Sequence, residues 1–227
     1  MTVAVELWLW PLTAASGAED EHWRLLSEEE RARADRFVFA QHKRRFIHGR
    51  GRLRQILAGY LGVAPETLAF DASAYGKPTL TVAPALHFNL SHSEDLAALG
   101  VSADAELGVD IEWIRPLKED IANRYFAPRE CDALQALPAA RQPRAFFECW
   151  TRKEAYIKAS GEGLSLPLDS FEVAFGPGEE ARFLRIDAPA SQAPADWRLH
   201  SFEPAPGCVG AIAAKTGGGE LSVRVVD

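Results

Sequence analysis

The chain has 227 residues, 47% hydrophobic and 25% charged, a balance that supports a buried core and excludes wholesale disorder. A net charge of −7 argues against general nucleic-acid binding. Three widely spaced cysteines, Cys131, Cys149 and Cys208, form no C-x-x-C pair; neither a disulfide framework nor a structural zinc site is suggested, and reduced thiols in a cytoplasmic protein are expected.

The opening stretch MTVAVELWLWPL carries Glu6 and no Lys or Arg, and Pro11 ends it early. It therefore reads neither as a secretory signal nor as a membrane span. The alternation of Val3, Val5, Leu7 and Leu9 predicts a first strand. One or two helices follow from Ser27, where Ser27 and Glu30 make a capping box and GYLG supplies the stop. Short strands are predicted around LAF, PTLTV, HFNLSHS, LAALGVS and LGVDIEW. A helical stretch is expected from about Leu117 to Leu137, then a stronger helix, RAFFECWTRKEAYIKASG, ending at Gly161. The remainder (SFEVAF, ARFLRI, WRLHSFE, CVGAIAA, LSVRVV) reads as strands separated by Gly and Pro turns. Laying Phe46–Ala58 on Phe147–Ala159 aligns Ile56 with Ile157, which suggests two α+β halves with a cleft between them.

Three constellations carry chemistry. In GVDIE, Asp110 and Glu112 are two apart in a strand and so share one face. Such a pair is either exposed on an edge strand or compensated by a divalent cation, which takes one or two carboxylates plus substrate phosphates. In the strong helix, Trp150, Glu154 and Lys158 follow at i, i+4 and i+8; Glu154 is a third carboxylate candidate, and Lys153 or Lys158 is left to face an anion. The bland alternative is a surface Glu154–Lys158 pair worth about 0.3–0.5 kcal/mol. Between Arg31 and Arg54 lie nine Lys or Arg against one acid, Asp35, readable as a solvated face or as a site for a multiply phosphorylated small molecule. Lys77, on the turn YGKP, is a further phosphate-binding candidate, and Ser91, His92 and Ser93 form a short polar loop ending an apolar strand.

Taken in order, YGKP, FNLSHS, GVDIE and FFECWTRKEAYIKASGEGLSLPLDSF resemble the Sfp-type 4′-phosphopantetheinyl transferases from about Ser27 to Phe175. The resemblance implies an α+β fold of two pseudo-symmetric halves, each a small antiparallel sheet packed with a long helix, with the active site in the cleft. We place the halves at 1–105 and 106–227, forming one rigid unit. It also implies coenzyme A as co-substrate, Mg²⁺ held by Asp110, Glu112 and Glu154, and Glu154 or Glu112 accepting the proton of a carrier-protein serine. Lys158 resembles the pyrophosphate-contacting lysine, and Lys77, Ser91 and His92 resemble binders of the coenzyme's phosphates. Arg33 and Arg45 are the candidates for the nucleotide end. One departure stands out: Glu30 occupies a position that is often basic in relatives. WIRPLKEDIANRYFAPRE matches the region that meets the carrier, with Ile121, Tyr125 and Phe126 as apolar contacts and Lys118, Arg124 and Arg129 facing an acidic helix. A monomer acting on an acidic helical apo carrier protein, with no nucleic-acid or membrane partner, is the expectation. A non-catalytic coenzyme A-binding module and a different Mg²⁺-dependent phosphotransferase or phosphatase are the competing readings.

Overall fold

The computed structural model describes residues 1–13, 18–73, 75–83, 85–117, 121–187 and 193–226. Its elements run β1 (Thr2–Pro11), α1 (Ala18–Leu25), α2 (Glu28–Asp35), α3 (Ala40–Leu61), β2 (Phe70–Ala72), β3 (Pro78–Leu80), β4 (His87–Ser93) and β5 (Leu96–Ser102). There follow β6 (Leu107–Trp113), α4 (Ile121–Tyr125), α5 (Pro128–Gln135), α6 (Gln142–Ser160), β7 (Phe171–Val173), β8 (Phe183–Ile186), β9 (Trp197–Ala205), β10 (Cys208–Lys215) and β11 (Glu220–Val226). The predicted strands all form. The stretch predicted as one helix from Leu117 divides, because Pro128 opens a new helix at α5 and the preceding turn breaks the register. Helix α1 was not foreseen; its segment is polar, and none of its residues is fully buried.

The second half repeats the first. A strand, three helices, a two-stranded hairpin and two further strands occur twice. In each case the first strand pairs antiparallel with the last and the last with the one before it, giving β1-β5-β4 and β6-β10-β9. The fold is α+β with two pseudo-symmetric lobes. The final strand breaks the symmetry: β11 adds parallel to β1, from Thr2↔Glu220 to Trp8↔Val226.

The repeat extends to side chains. Glu30, near the start of α2, receives the Ser27 N–H and pairs with Arg54 of α3 at 2.7 Å, while Arg54 also donates to the Leu68 carbonyl at 2.9 Å. Glu130, near the start of α5, receives the Ala127 N–H and pairs with Lys153 of α6 at 2.7 Å, while Lys153 also donates to the Leu168 carbonyl at 2.7 Å. Each lobe thus ties a short helix, its long helix and the following loop through one buried carboxylate and one cation. Every charge has its partner, which a buried ion requires.

Hydrophobic clusters define four layers. Leu53, Ile56 and Leu57 of α3 pack on Trp10, Phe88, Leu99 and Val101 of the first sheet. Val3, Val5 and Leu7 on its other face meet Leu107, Val109, Ile111 and Ile212 of the second sheet. Val209, Ala211 and Ala213 face α6 through Ala155, Tyr156 and Ala159. β5 and β10 are buried on both faces for this reason, and their sequences read as continuous apolar runs.

Gly108 sets the distance between β6 and α6. A Cβ there would lie 2.1 Å from the Ala155 carbonyl oxygen and 2.4 Å from the Ala159 nitrogen, both backbone atoms that cannot swing away. Gly108→Ala is expected to push α6 off the sheet, at the ~1–3 kcal/mol typical of overpacking. A urea melt should show the lowered midpoint; an unchanged midpoint would contradict the packing described.

Candidate active site

Leu107, Val109 and Ile111 point between the sheets, so Gly108, Asp110 and Glu112 share the opposite face, toward α6. Helix α6 lies across that face and presents Glu154 and, one turn later, Lys158, before Gly161 ends it in the left-handed region at φ 74°. Lys158 Nζ reaches Asp110 Oδ1 at 2.6 Å and Ser91 Oγ at 3.2 Å. The surface Glu154–Lys158 pair does not form among the described residues: Lys158 is drawn to the buried Asp110 instead.

The other expected residues divide between the site and the framework. Lys153 is fully buried in the lobe core against Glu130, so Lys158 is the α6 lysine that faces the site. Lys77 lies beside the acids but donates to the carbonyls of Leu107 (3.0 Å) and Ala159 (3.2 Å), bridging the start of β6 and the end of α6. Burial holds its ammonium below the ordinary lysine range. Ser91 donates to Asp110 Oδ1 at 3.0 Å and accepts the Ile111 N–H at 3.3 Å. Ser93 repeats this arrangement two residues on, donating to Glu112 Oε2 at 2.8 Å and accepting the Trp113 N–H at 3.3 Å.

Three hollows border these residues. One of about 520 Å³ is lined by Arg33, Arg45, Arg50, Phe88, Leu90 and His92. A second, of about 260 Å³, is lined by Tyr75, Lys77, Glu154, Lys158, Gly161 and Gly163, and the two share Pro78 and Asn89. A third, of about 210 Å³, runs from Glu112 along Arg115, Ile121, Phe146, Phe147 and Trp150. In the first, Arg45 is held by Asp95 at 2.7 Å and Glu94 at 2.9 Å, whereas Arg33 rests its guanidinium over the Phe46 ring. Burial, reinforced by the Lys158 charge, keeps the His92 imidazole below its ordinary pKa.

Glu30 does not reach this cleft. It is buried, held by Arg50 and Arg54, and caps α2, so the departure from a basic residue belongs to the framework of the first lobe. Phe126 is corrected likewise: it is 4% exposed and stacks on Phe146, leaving it no surface for a partner. Ile121 lines the third hollow, Tyr125 stands edge-on to Trp150, and Arg124 lies over Tyr125. Lys118 lies outside the described residues.

Among the described residues no group of three or more His, Cys, Asp or Glu is arranged as a metal cage. The donor set nevertheless fits a hard cation in kind. Among the described residues Asp110 Oδ2 is buried with no hydrogen-bond partner, and Oδ1 carries both Ser91 and Lys158. Burial raises the Asp110 and Glu154 carboxyls above the ordinary range; the Asp110 charge raises Glu154 further, and Lys158 opposes both shifts. A cation shared by these oxygens would relieve the strain of like charges.

Residues 18–104 match the 4′-phosphopantetheinyl transferase N-terminal family, and 106–211 match the 4′-phosphopantetheinyl transferase superfamily. The chain is 42% identical to the 4′-phosphopantetheinyl transferase HetI of Nostoc sp. (strain PCC 7120), over 92% of this chain and 86% of HetI. It is 38% identical to psf-1 of Bacillus pumilus, over 79% and 76% of the two chains. With Sfp of Bacillus subtilis (strain 168), it shares 31% identity over 79% and 78%. The chain belongs to the 4′-phosphopantetheinyl transferase superfamily. Within it, the chain is an Sfp-type enzyme.

The raised carboxyls have a consequence for stability. The native state holds their protons to higher pH than the unfolded chain does, so their contribution is best at low pH and is lost as pH rises through the native values. In metal-free buffer, Glu154→Gln should flatten that fall and raise Tm near neutrality by ~2–4 °C, the equivalent of about 1 kcal/mol at this size. Thermal melts across pH 5–8 test this; a lowered Tm at neutral pH would show that the Glu154 carboxylate is held by attraction.

Proposed function

We propose that this enzyme transfers the 4′-phosphopantetheine arm of coenzyme A to a serine of an apo carrier protein, with Mg²⁺, releasing adenosine 3′,5′-bisphosphate. The observation that carries the reading is the meeting of a basic hollow and a carboxylate–lysine cluster at shared residues, with a part-apolar hollow beginning at Glu112. A nucleotide bisphosphate suits the first, a pyrophosphate the second, and a docked protein the third. We keep 1–105 and 106–227 as the two halves that form this cleft.

The chain's residues take the following roles. Arg33, Arg45 and His92 line the hollow for the nucleotide end, with Arg33 the less committed of the two arginines. Lys158 lies against the cluster and meets the pyrophosphate, where an ammonium helps most as negative charge builds on the leaving group. Lys77 and Ser91 stand beside it as phosphate-side residues that also brace β6 and α6. The carrier serine Oγ forms a bond to the β-phosphorus as the bond to the bridging oxygen breaks. Its proton passes to Glu154 or Glu112, and the electron pair leaves on the bisphosphate. Asp110, Glu112 and Glu154 would hold Mg²⁺, which when bound neutralises pyrophosphate charge. The carrier, an acidic helical domain, is placed on Arg115, Ile121, Arg124 and Tyr125, with Arg129 beyond them. Carriers of fatty-acid, polyketide and non-ribosomal peptide synthesis all present such a serine. A single copy supplies both lobes, so a monomer in the cytoplasm suffices. Among the described residues no helix is long and apolar enough to cross a membrane, and all three cysteines are free and buried.

Incubation with Mg²⁺, coenzyme A and an apo carrier should add the phosphopantetheine mass to the carrier, and a carrier of unchanged mass would refute the assignment. Lys158→Ala should lower kcat at least tenfold with little change in the carrier KM. A raised carrier KM alone would move Lys158 to the protein interface.

A further inference from the structure

Strand β4 has two working faces. Phe88, Leu90 and His92 line the basic hollow. Asn89, Ser91 and Ser93 alternate with them and meet β6, accepting the N–H groups of Val109 (2.8 Å), Ile111 (3.3 Å) and Trp113 (3.3 Å). The partner is always twenty residues on, so the strands run side by side in one direction with polar side chains between them.

Ser91 and Ser93 add something that Asn89 lacks. Each hydroxyl donates its proton to the acid just before the amide it accepts, Ser91 to Asp110 and Ser93 to Glu112. In both cases the same carboxylate oxygen also receives a cation: Lys158 at 2.6 Å on Asp110 Oδ1, Arg115 at 2.9 Å on Glu112 Oε2. Both contacts thereby fall on one oxygen of each acid, and the other oxygen of Asp110, Oδ2, has no hydrogen-bond partner among the described residues. A carboxylate fixed in this way cannot rotate between equivalent poses, which is how a neighbouring hydroxyl orients a ligating acid.

We infer that Ser93 is a positioning residue of the transfer reaction. From the first lobe it fixes the rotamer of Glu112 in the second, as Ser91 does for Asp110, and β4 thereby joins the coenzyme hollow to the carboxylates. This inference rests on the proposed role of Glu112 as a metal ligand or proton acceptor.

The test compares Ser93→Thr, which keeps the hydroxyl, with Ser93→Val, which has the same shape without it; both suit a strand. Ser93→Ala serves as a second hydroxyl-free variant should Val disturb the fold, and the Tm of each is recorded. Magnesium or manganese binding to the enzyme alone is measured by calorimetry, alongside kcat and the coenzyme A KM. The inference predicts that Val and Ala weaken metal binding or kcat ten- to hundredfold, the usual effect of losing a group that orients a ligand. The coenzyme A KM should hardly change, and Thr should stay within about threefold of the native protein. Native metal affinity and kcat in Val and Ala, with only Tm lowered, would reduce Ser93 to a strand-to-strand contact and overturn it. So would a Thr variant as impaired as Val. If the native enzyme binds no metal and works in chelator, the metal reading fails by itself. The inference is then judged on kcat, which must still separate Thr from Val.

Discussion

The N–H edge of β6 is the constraint around which this molecule is organised. One edge of that strand is paired with β10; the other presents the amides of Val109, Ile111 and Trp113 inside the protein, with no strand laddered against them among the described residues. A buried amide without an acceptor costs ~1–3 kcal/mol, so three of them would be a serious liability. Side chains of β4 close that edge, and because they are polar and short they bring the lobes within hydrogen-bond reach without merging the sheets. The acids at 110 and 112 alternate with these amides, so their placement beside β4 follows from the same closure. Gly108 then lets α6 descend onto the strand, and Glu154 and Lys158 arrive from above.

The two lobes share a framework and differ in their chemistry. Both lobes lock a short helix to a long one through a buried carboxylate, but the cation is Arg54 in one and Lys153 in the other. The basic run from Arg31 to Arg54 is thereby divided. Arg50 and Arg54 serve Glu30, Lys43 serves Asp35, and Arg31 caps the carbonyls of Trp23 and Arg24. Arg33 and Arg45 are turned to the hollow. The run is therefore neither wholly a solvated face nor wholly a phosphate site.

What the sequence discloses follows from which interactions are local. Strand alternation in β1, the Ser27–Glu30 capping box and the Gly161 stop are set by neighbours within a few residues, and all three appear in the structure. The shared face of Asp110 and Glu112 was legible for the same reason. The partners of Glu30, Phe126 and Lys153 were not, because burial is decided by elements that pack from elsewhere: Glu30 by α3, Phe126 by Phe146, Lys153 by α5 and the loop at Leu168. Ser93 was passed over as part of a polar loop. Its signal was the alternation Asn89, Ser91, Ser93, three small polar residues on one face of β4, between Phe88, Leu90 and His92. Polar residues at period two beside a buried strand are the mark of side chains serving a neighbour's backbone.

Amide hydrogen exchange at Val109, Ile111 and Trp113 tests the seam most directly. If β4 side chains close the edge of β6, these three amides will exchange as slowly as those laddered between β6 and β10, through the same cooperative opening of the lobes. Exchange at the rate of an exposed edge strand, while the β6–β10 ladder stays protected, would contradict the account.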